Sequence, residues 1–283
     1  MNYEPYIQSA INEMNLRGFS PRTVRSYSSN LSKFLIYTSK PIDDLEVEDV
    51  RIFLLHLKGR KLSTSYINTA YSSCKLFFQS VLKRPFSMDD IPRVKNTKKL
   101  PVVLSKSEVI SILDSTENMK HKAILMTAYS AGLRVSEAMN LKVNDIDSGN
   151  MQIFIHSGKG DKDRYTLLSQ KTLLYLREYF KVYTPNEWLF YSGSNKSMPL
   201  SSRTAQKVFK ASTAKAGIKK LVTIHTLRHS FATHLLINGT NLFTIKTLLG
   251  HKSIRSTMVY LHLAPGKVLS VTSPFDMEVP DEK

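Results

Sequence analysis

A chain of 283 residues with 42% hydrophobic side chains is long enough for one large or two ordinary domains, each with its own core. Its formal charge of +17 and pI near 9.8 point to a polyanionic partner, most simply nucleic acid, while the lone Cys74 excludes an internal disulfide and a cysteine zinc site. No apolar run approaches the roughly 20 residues of a membrane-spanning helix, and no basic segment leads into an apolar signal core, so the expectation is a cytoplasmic protein with no membrane partner.

Period and caps predict four helices in the first hundred residues, over 4 to 17, 21 to 38, 46 to 58 and 63 to 83. The second is the best marked: Ser20 can cap, Pro21 stands at the first helical position, and Val24, Tyr27, Leu31, Phe34 and Leu35 form an apolar stripe. The polar faces of the second and fourth hold Arg22, Arg25, Lys33, Lys61, Ser63, Thr64, Ser65 and Lys75. Cations mixed with short hydroxyls suit phosphates and base edges, although each residue taken singly also suits a solvated helix face. Residues 1 to 84 therefore read as a helical bundle. Residues 85 to 103, with Pro85, Pro92 and Pro101 among Lys98, Lys99 and other cations, read as a basic linker.

From 104 to 283 the expectation is a second domain. Ser105 and Glu108 form a capping box that opens a helix to about Asp114, and another helix runs from Met119 to Ser130. Gly132 permits a left-handed turn before a helix that begins at Arg134, where Arg134 and Glu137 share a face. Alternation over 151 to 156 and 164 to 168 predicts a β-hairpin whose tip, S-G-K-G-D-K, carries Lys159 between two glycines. The G-x-x-x-x-G-K-[ST] phosphate loop is absent. Helices over 169 to 182 and 201 to 216 follow, the second bearing Arg203, Lys207 and Lys210 as candidate phosphate contacts.

The stretch from His225 to Tyr260 is the densest in reactive side chains. A helix beginning near Thr226 points His225 and Arg228 at one anion. His229 and His234 lack the carboxylate or thiol companions of a zinc site, and no H-E-x-x-H is present, so no metal is expected and His229 reads as a structural histidine. Gly239 ends that helix, Asn241 starts the next, and Gly250 ends it so that His251 emerges from a turn. Tyr260 follows on a short helix after Ser253; alone it would read as core. Together, two arginines, two histidines, a lysine on a turn and a tyrosine match phosphoryl transfer without a cofactor: arginines clamp nonbridging oxygens, the tyrosine attacks and the lysine protonates the leaving oxygen.

The runs G-L-R-V-S-E from Gly132, G-K-G from Gly158, H-T-L-R-H from His225, L-G-H from Leu249 and the closing Tyr260 resemble those of the tyrosine recombinase (phage integrase) family, particularly its Xer-like members. S-P-R-T-V-R-S-Y from Ser20 resembles more loosely the start of a core-binding helix in the same proteins. The resemblance implies a mainly α (α+β) fold, with an N-terminal four-helix core-binding (SAM-like) bundle and a mostly helical catalytic domain carrying a small antiparallel sheet. It implies Arg134 and Arg228 as phosphate clamps, Lys159 as general acid, His225 as proton acceptor, His251 as hydrogen-bond donor and Tyr260 as nucleophile, with Glu137 orienting the site. It further implies a tetramer on two double-stranded DNA sites, a 3′-phosphotyrosine, a Holliday junction and no cofactor; whether a second recombinase or accessory protein takes part stays open, as does whether the C-terminal tail docks in cis or in trans. A type IB topoisomerase and a noncatalytic DNA-binding regulator stay open as alternatives, as do chromosome dimer resolution and mobile-element integration or excision as the task.

Overall fold

The computed structural model describes residues 2–86, 91–95, 100–156, 163–193 and 195–263. The chain divides into two compact units, 1–98 and 99–283.

In the first unit, helices α1 (Glu4–Leu16), α2 (Pro21–Thr38), α3 (Val47–Gly59) and α4 (Thr64–Leu76) are followed by a π-helical turn over Phe77–Val81. Local chemistry sets their ends. Ser20 Oγ accepts from the Thr23 amide and Ser63 Oγ from the Tyr66 amide, each at 3.2 Å, which satisfies amides that a helix start leaves unpaired. The core gathers Leu31, Phe34, Leu35, Phe53, Ile67, Phe77 and Phe78, with the Phe34 and Phe53 rings 5.5 Å apart. Phe86 and Ile91 are buried in this same core, so the segment expected to be a linker from residue 85 contributes packing to the helical unit, as an aromatic and a β-branched side chain in it would favour.

The second unit opens with α5 (Lys106–Asp114), α6 (Met119–Ser130) and the short α7 (Val135–Met139). A three-stranded antiparallel sheet follows in the order β1 (Ile146–Asp147), β2 (Gln152–Ile155), β3 (Arg164–Leu167); the first strand, too short to show a period, went unpredicted. Ile155 pairs with Arg164 at the base of the hairpin, and the tip between them, 157–162 with Lys159, lies outside the described residues. Next come α8 (Gln170–Tyr183), a second hairpin of β4 (Tyr191–Ser192) and β5 (Asn195–Pro199), then α9 (Ser202–Lys215), α10 (Ile224–Ile237), α11 (Leu242–Leu249) and α12 (Arg255–Met258). The β4–β5 pair lies in the stretch between the helices expected over 169 to 182 and 201 to 216. Helix α10 starts two residues earlier than its pattern suggested, because the Thr223 amide donates to Thr226 Oγ1 at 3.1 Å. The main core runs from Leu104 through α6, the sheet and α8 to Leu227; a smaller one joins Phe231, Ala232, Ile245, Leu249 and Tyr260.

Gly132 shows how close the packing is beside the G-L-R-V-S-E run. It sits at φ +63, and a Cβ there would overlap the Phe231 ring. Gly132→Ala is expected to destabilise the protein by about 2 kcal/mol or more, from left-handed strain added to overpacking, read as a lower denaturation midpoint in urea with an unchanged slope.

Candidate active site

The site is assembled on Glu137. Its carboxylate is only 10% exposed, and a buried carboxylate requires cationic or amide partners. The Arg134 amide donates to Oε2 at 2.8 Å and Arg134 Nη1 to Oε1 at 2.6 Å. Arg164 donates to both oxygens, at 3.1 and 2.9 Å, and Arg228 Nη1 lies 3.5 Å from Oε2. Burial pushes the Glu137 carboxyl up, but Arg164, the Arg134 amide and Arg228 outweigh it and hold the group below its ordinary value. The pairing of Arg134 with Glu137 is therefore no exposed helix pair.

Arg228 is 1% exposed. It donates to the Gly132 carbonyl at 2.8 Å and to the Leu249 carbonyl at 2.5 Å, so one side chain on α10 ties together the backbones of two distant motifs. Burial first, then Arg134 and Arg164, bring its pKa down to about 10 against the pull of Glu137; it stays charged at neutral pH. Arg134 keeps about a third of its side chain exposed.

Arg164 was met in the sequence only as the start of a strand. In β3 the even positions Arg164 and Thr166 face inward while Tyr165 and Leu167 face out, so strand alternation buries its guanidinium. Beyond Glu137 it donates from Nε to the Leu248 carbonyl at 2.9 Å, and it lies against Gly250 at φ +64, where a Cβ would come within 2.8 Å of its Cδ. An inward cation on a period-two strand was the available signal, uninterpretable until its carboxylate partner was known.

His251 leaves the turn at Gly250, with its amide bonded to Lys246 O at 3.1 Å and Nδ1 in contact with Thr257 Oγ1 at 2.9 Å. Tyr260 follows α12 rather than lying on it. Its ring is 2% exposed, near parallel to that of His251 at 6.5 Å, and its hydroxyl meets His229 Nδ1 at 3.1 Å. His229, expected as a structural histidine, thus has Tyr260 as its hydrogen-bond partner; one residue past Arg228, it lies on the side of α10 that faces Tyr260. His225 packs edge-on against His229 with centroids 4.6 Å apart. His234 bonds Tyr129 Oη at 2.8 Å, a packing role. Burial leads in lowering His225, His229 and His251, with Arg228 adding to it in all three; the last two reach about 4. These imidazoles are neutral at pH 7.

Arg134, Glu137, His225, Arg228, His251 and Tyr260 thus share one locality, joined by Arg164 and His229. Among the described residues no three His, Cys, Asp or Glu side chains are grouped to hold a metal ion. In the first unit Arg22, Arg25 and Lys61 are exposed and Lys75 is half-buried; Ser63 Oγ is already occupied as a cap acceptor. Lys33 donates to Tyr66 Oη at 3.1 Å. Arg203 is exposed on α9, and Lys98 and Lys99 lie outside the described residues.

With this geometry in hand, comparison with known proteins is direct. Residues 102–267 match the phage integrase family and residues 6–88 the N-terminal SAM-like domain of phage integrases. A putative integrase/recombinase y4qK from Sinorhizobium fredii is 39% identical over 96% of this chain and 89% of its own. Tyrosine recombinase XerD from Oceanobacillus iheyensis is 34% identical, covering 89% and 91%. The crystal structure of XerA recombinase superposes with a TM-score of 0.56 at 28% identity, over 95% of this chain and 96% of that one. The chain belongs to the phage integrase family. Within it, the likeness is to Xer-type tyrosine recombinases, and its activity is site-specific DNA recombination.

Two outcomes follow from the charge arrangement. Arg164→Ala removes two of the bonds to a buried carboxylate and is expected to cost about 2–4 kcal/mol in chemical denaturation, with Arg164→Lys intermediate because an ammonium cannot reproduce the fork. For pH, His229 and His251 have folded values depressed from 6.5 to about 4, so the unfolded chain binds protons first. Their stabilisation is complete above about pH 6.5 and is lost as pH falls towards 4. The thermal midpoint should decline from pH 6.5 to 5, and less steeply in His229→Gln.

Proposed function

We propose that this recombinase cuts and rejoins double-stranded DNA through a covalent bond between Tyr260 and a 3′ phosphate. The observation that carries this reading is the gathering of Arg134, Arg228, His225 and His251 around Tyr260, from segments more than a hundred residues apart. Arg134 and Arg228 bind the nonbridging oxygens of the scissile phosphate and offset the charge that develops on them, while His251 donates a hydrogen bond to the same oxygens and the family resemblance gives His225 the part of proton acceptor. Tyr260 Oη forms the bond to phosphorus as the bond to the 5′ oxygen breaks, and Lys159 protonates that oxygen. The phosphotyrosine keeps the bond energy for rejoining, so the step calls for no nucleotide cofactor.

The first unit serves as the core-binding domain, with Arg22, Arg25, Lys61, Ser63 and Lys75 towards the duplex, joined by Lys98, Lys99 and Arg203. Four copies act on two sites through a Holliday junction in the cytoplasm, in chromosome dimer resolution or in integration and excision of a mobile element. A +17 charge supports a DNA partner, and no helix among the described residues is long and apolar enough to cross a membrane.

Covalent capture tests this reading. Wild-type protein incubated with sheared DNA of its host should retain specific fragments through denaturing washes, and sequencing those fragments yields the site. Tyr260→Phe should shift the same duplex in a gel with unchanged affinity yet form no adduct; an adduct that persists in this variant rejects Tyr260 as nucleophile.

A further inference from the structure

Tyr260 has a chemical need that charge alone does not meet. Burial raises its phenol above the ordinary value of 10, and Arg228 opposes this only in part, so the hydroxyl keeps its proton until attack begins. A proton acceptor then has to lie within hydrogen-bond reach of it. His229 Nδ1 does so, at 3.1 Å, with the two ring centroids 5.8 Å apart.

His225, to which the family resemblance gives this task, stands differently. It packs against His229 in a T-shaped ring pair and, burial apart, feels chiefly Arg228 and Arg134, the residues proposed to hold the phosphate. Among the described residues, the charged and titratable groups around His229 are His225 and Arg228 on its own helix, His251 on the turn after α11 and Tyr260 after α12. None is a carboxylate that would draw a proton onto the imidazole. A neutral imidazole accepts at Nδ1 when its proton is on Nε2.

We infer that His229 is the proton acceptor for Tyr260, and so a catalytic residue beyond those that the family resemblance supplies. The inference rests on Tyr260 being the nucleophile, as proposed above. During cleavage the Tyr260 O–H bond breaks and its proton passes to His229 Nδ1, Oη bonds to phosphorus, and the bond from phosphorus to the 5′ oxygen breaks with protonation of that oxygen. On rejoining, the 5′ hydroxyl gives its proton back to the general acid that supplied it and bonds to phosphorus, the phosphotyrosine bond breaks, and His229 returns its proton to Oη. His225 is thereby left to donate to the phosphate.

The test uses the full chain and a nicked duplex that carries the captured sequence. His229→Ala should bind this duplex as wild type does but form the adduct about 100-fold more slowly, and added imidazole should restore roughly tenfold of that rate, since a small base can replace a lost acceptor whereas it cannot repair a packing defect. Independently of folding in that variant, ¹⁵N spectra of histidine-labelled wild type should show His229 Nδ1 unprotonated, with its resonance moved in Tyr260→Phe. A wild-type adduct rate in His229→Ala, no imidazole rescue of the folded variant, or a protonated Nδ1 in wild type each overturns the inference. Adduct formation by Tyr260→Phe would instead reject the nucleophile itself and leave the question of its acceptor without an object.

Discussion

The catalytic unit depends on one carboxylate. Glu137 takes hydrogen bonds or ion-pair contact from Arg134, Arg164 and Arg228, three guanidinium groups that would repel one another if brought together without it. A buried cation without a partner costs several kcal/mol, so Arg164 and Arg228 can be buried only because Glu137 is charged, and its lowered pKa keeps it charged. Three positive groups around one negative leave a local excess of positive charge. That excess suits an incoming phosphate, and it is held in place before the phosphate arrives, which is the condition for electrostatic catalysis without reorganisation.

The same hub explains why segments so far apart in sequence meet. Arg134 caps α7 and Glu137 lies on it, Arg164 stands at the base of the hairpin, and Arg228, on α10, also holds the Gly132 and Leu249 carbonyls with its guanidinium. Arg164 adds the Leu248 carbonyl. The turn that presents His251 is thereby fixed from two sides by arginines that themselves rest on Glu137. The hairpin starts its return strand at Arg164, so its base is anchored. Arginine suits these positions better than lysine, because a planar fork can serve a carboxylate and a carbonyl together.

Much of this was legible in the sequence. The helix starts at Ser20, Ser63 and Ser105 follow from hydroxyls placed before apolar periods, and the turns at Gly132 and Gly250 follow from glycines where a left-handed residue is needed. The site residues other than Arg164 and His229 were legible because each sits in a motif with a spacing of its own. Arg164 was hidden because a strand's alternation reveals which face a residue takes, not what waits on that face. The partner of His229 was hidden for a related reason: it is a tyrosine 31 residues on, a contact that no spacing within α10 reveals. The strand β1 and the β4–β5 pair, with two to five residues each, carry too little period to be seen. Phe86 and Ile91 joined the first core despite their proline-rich setting, because apolar side chains beside an incomplete hydrophobic face are better buried than exposed.

Two kinds of base share this small volume, and their charge states explain the division of labour. The arginines stay protonated at any working pH and give the phosphate its permanent counter-charge. The histidines sit close to those same cations and are partly withdrawn from water, and both effects keep them neutral. A neutral imidazole can donate from one nitrogen and accept at the other, which an imidazolium cannot do. The arginine cluster therefore does more than bind an anion: by suppressing protonation of its neighbours it preserves a proton acceptor beside a phenol that burial has kept protonated. Removing an arginine would then weaken the phosphate clamp and also relax the restraint that keeps the adjacent histidines basic and unoccupied, so the two functions of the site are linked through a single set of charges.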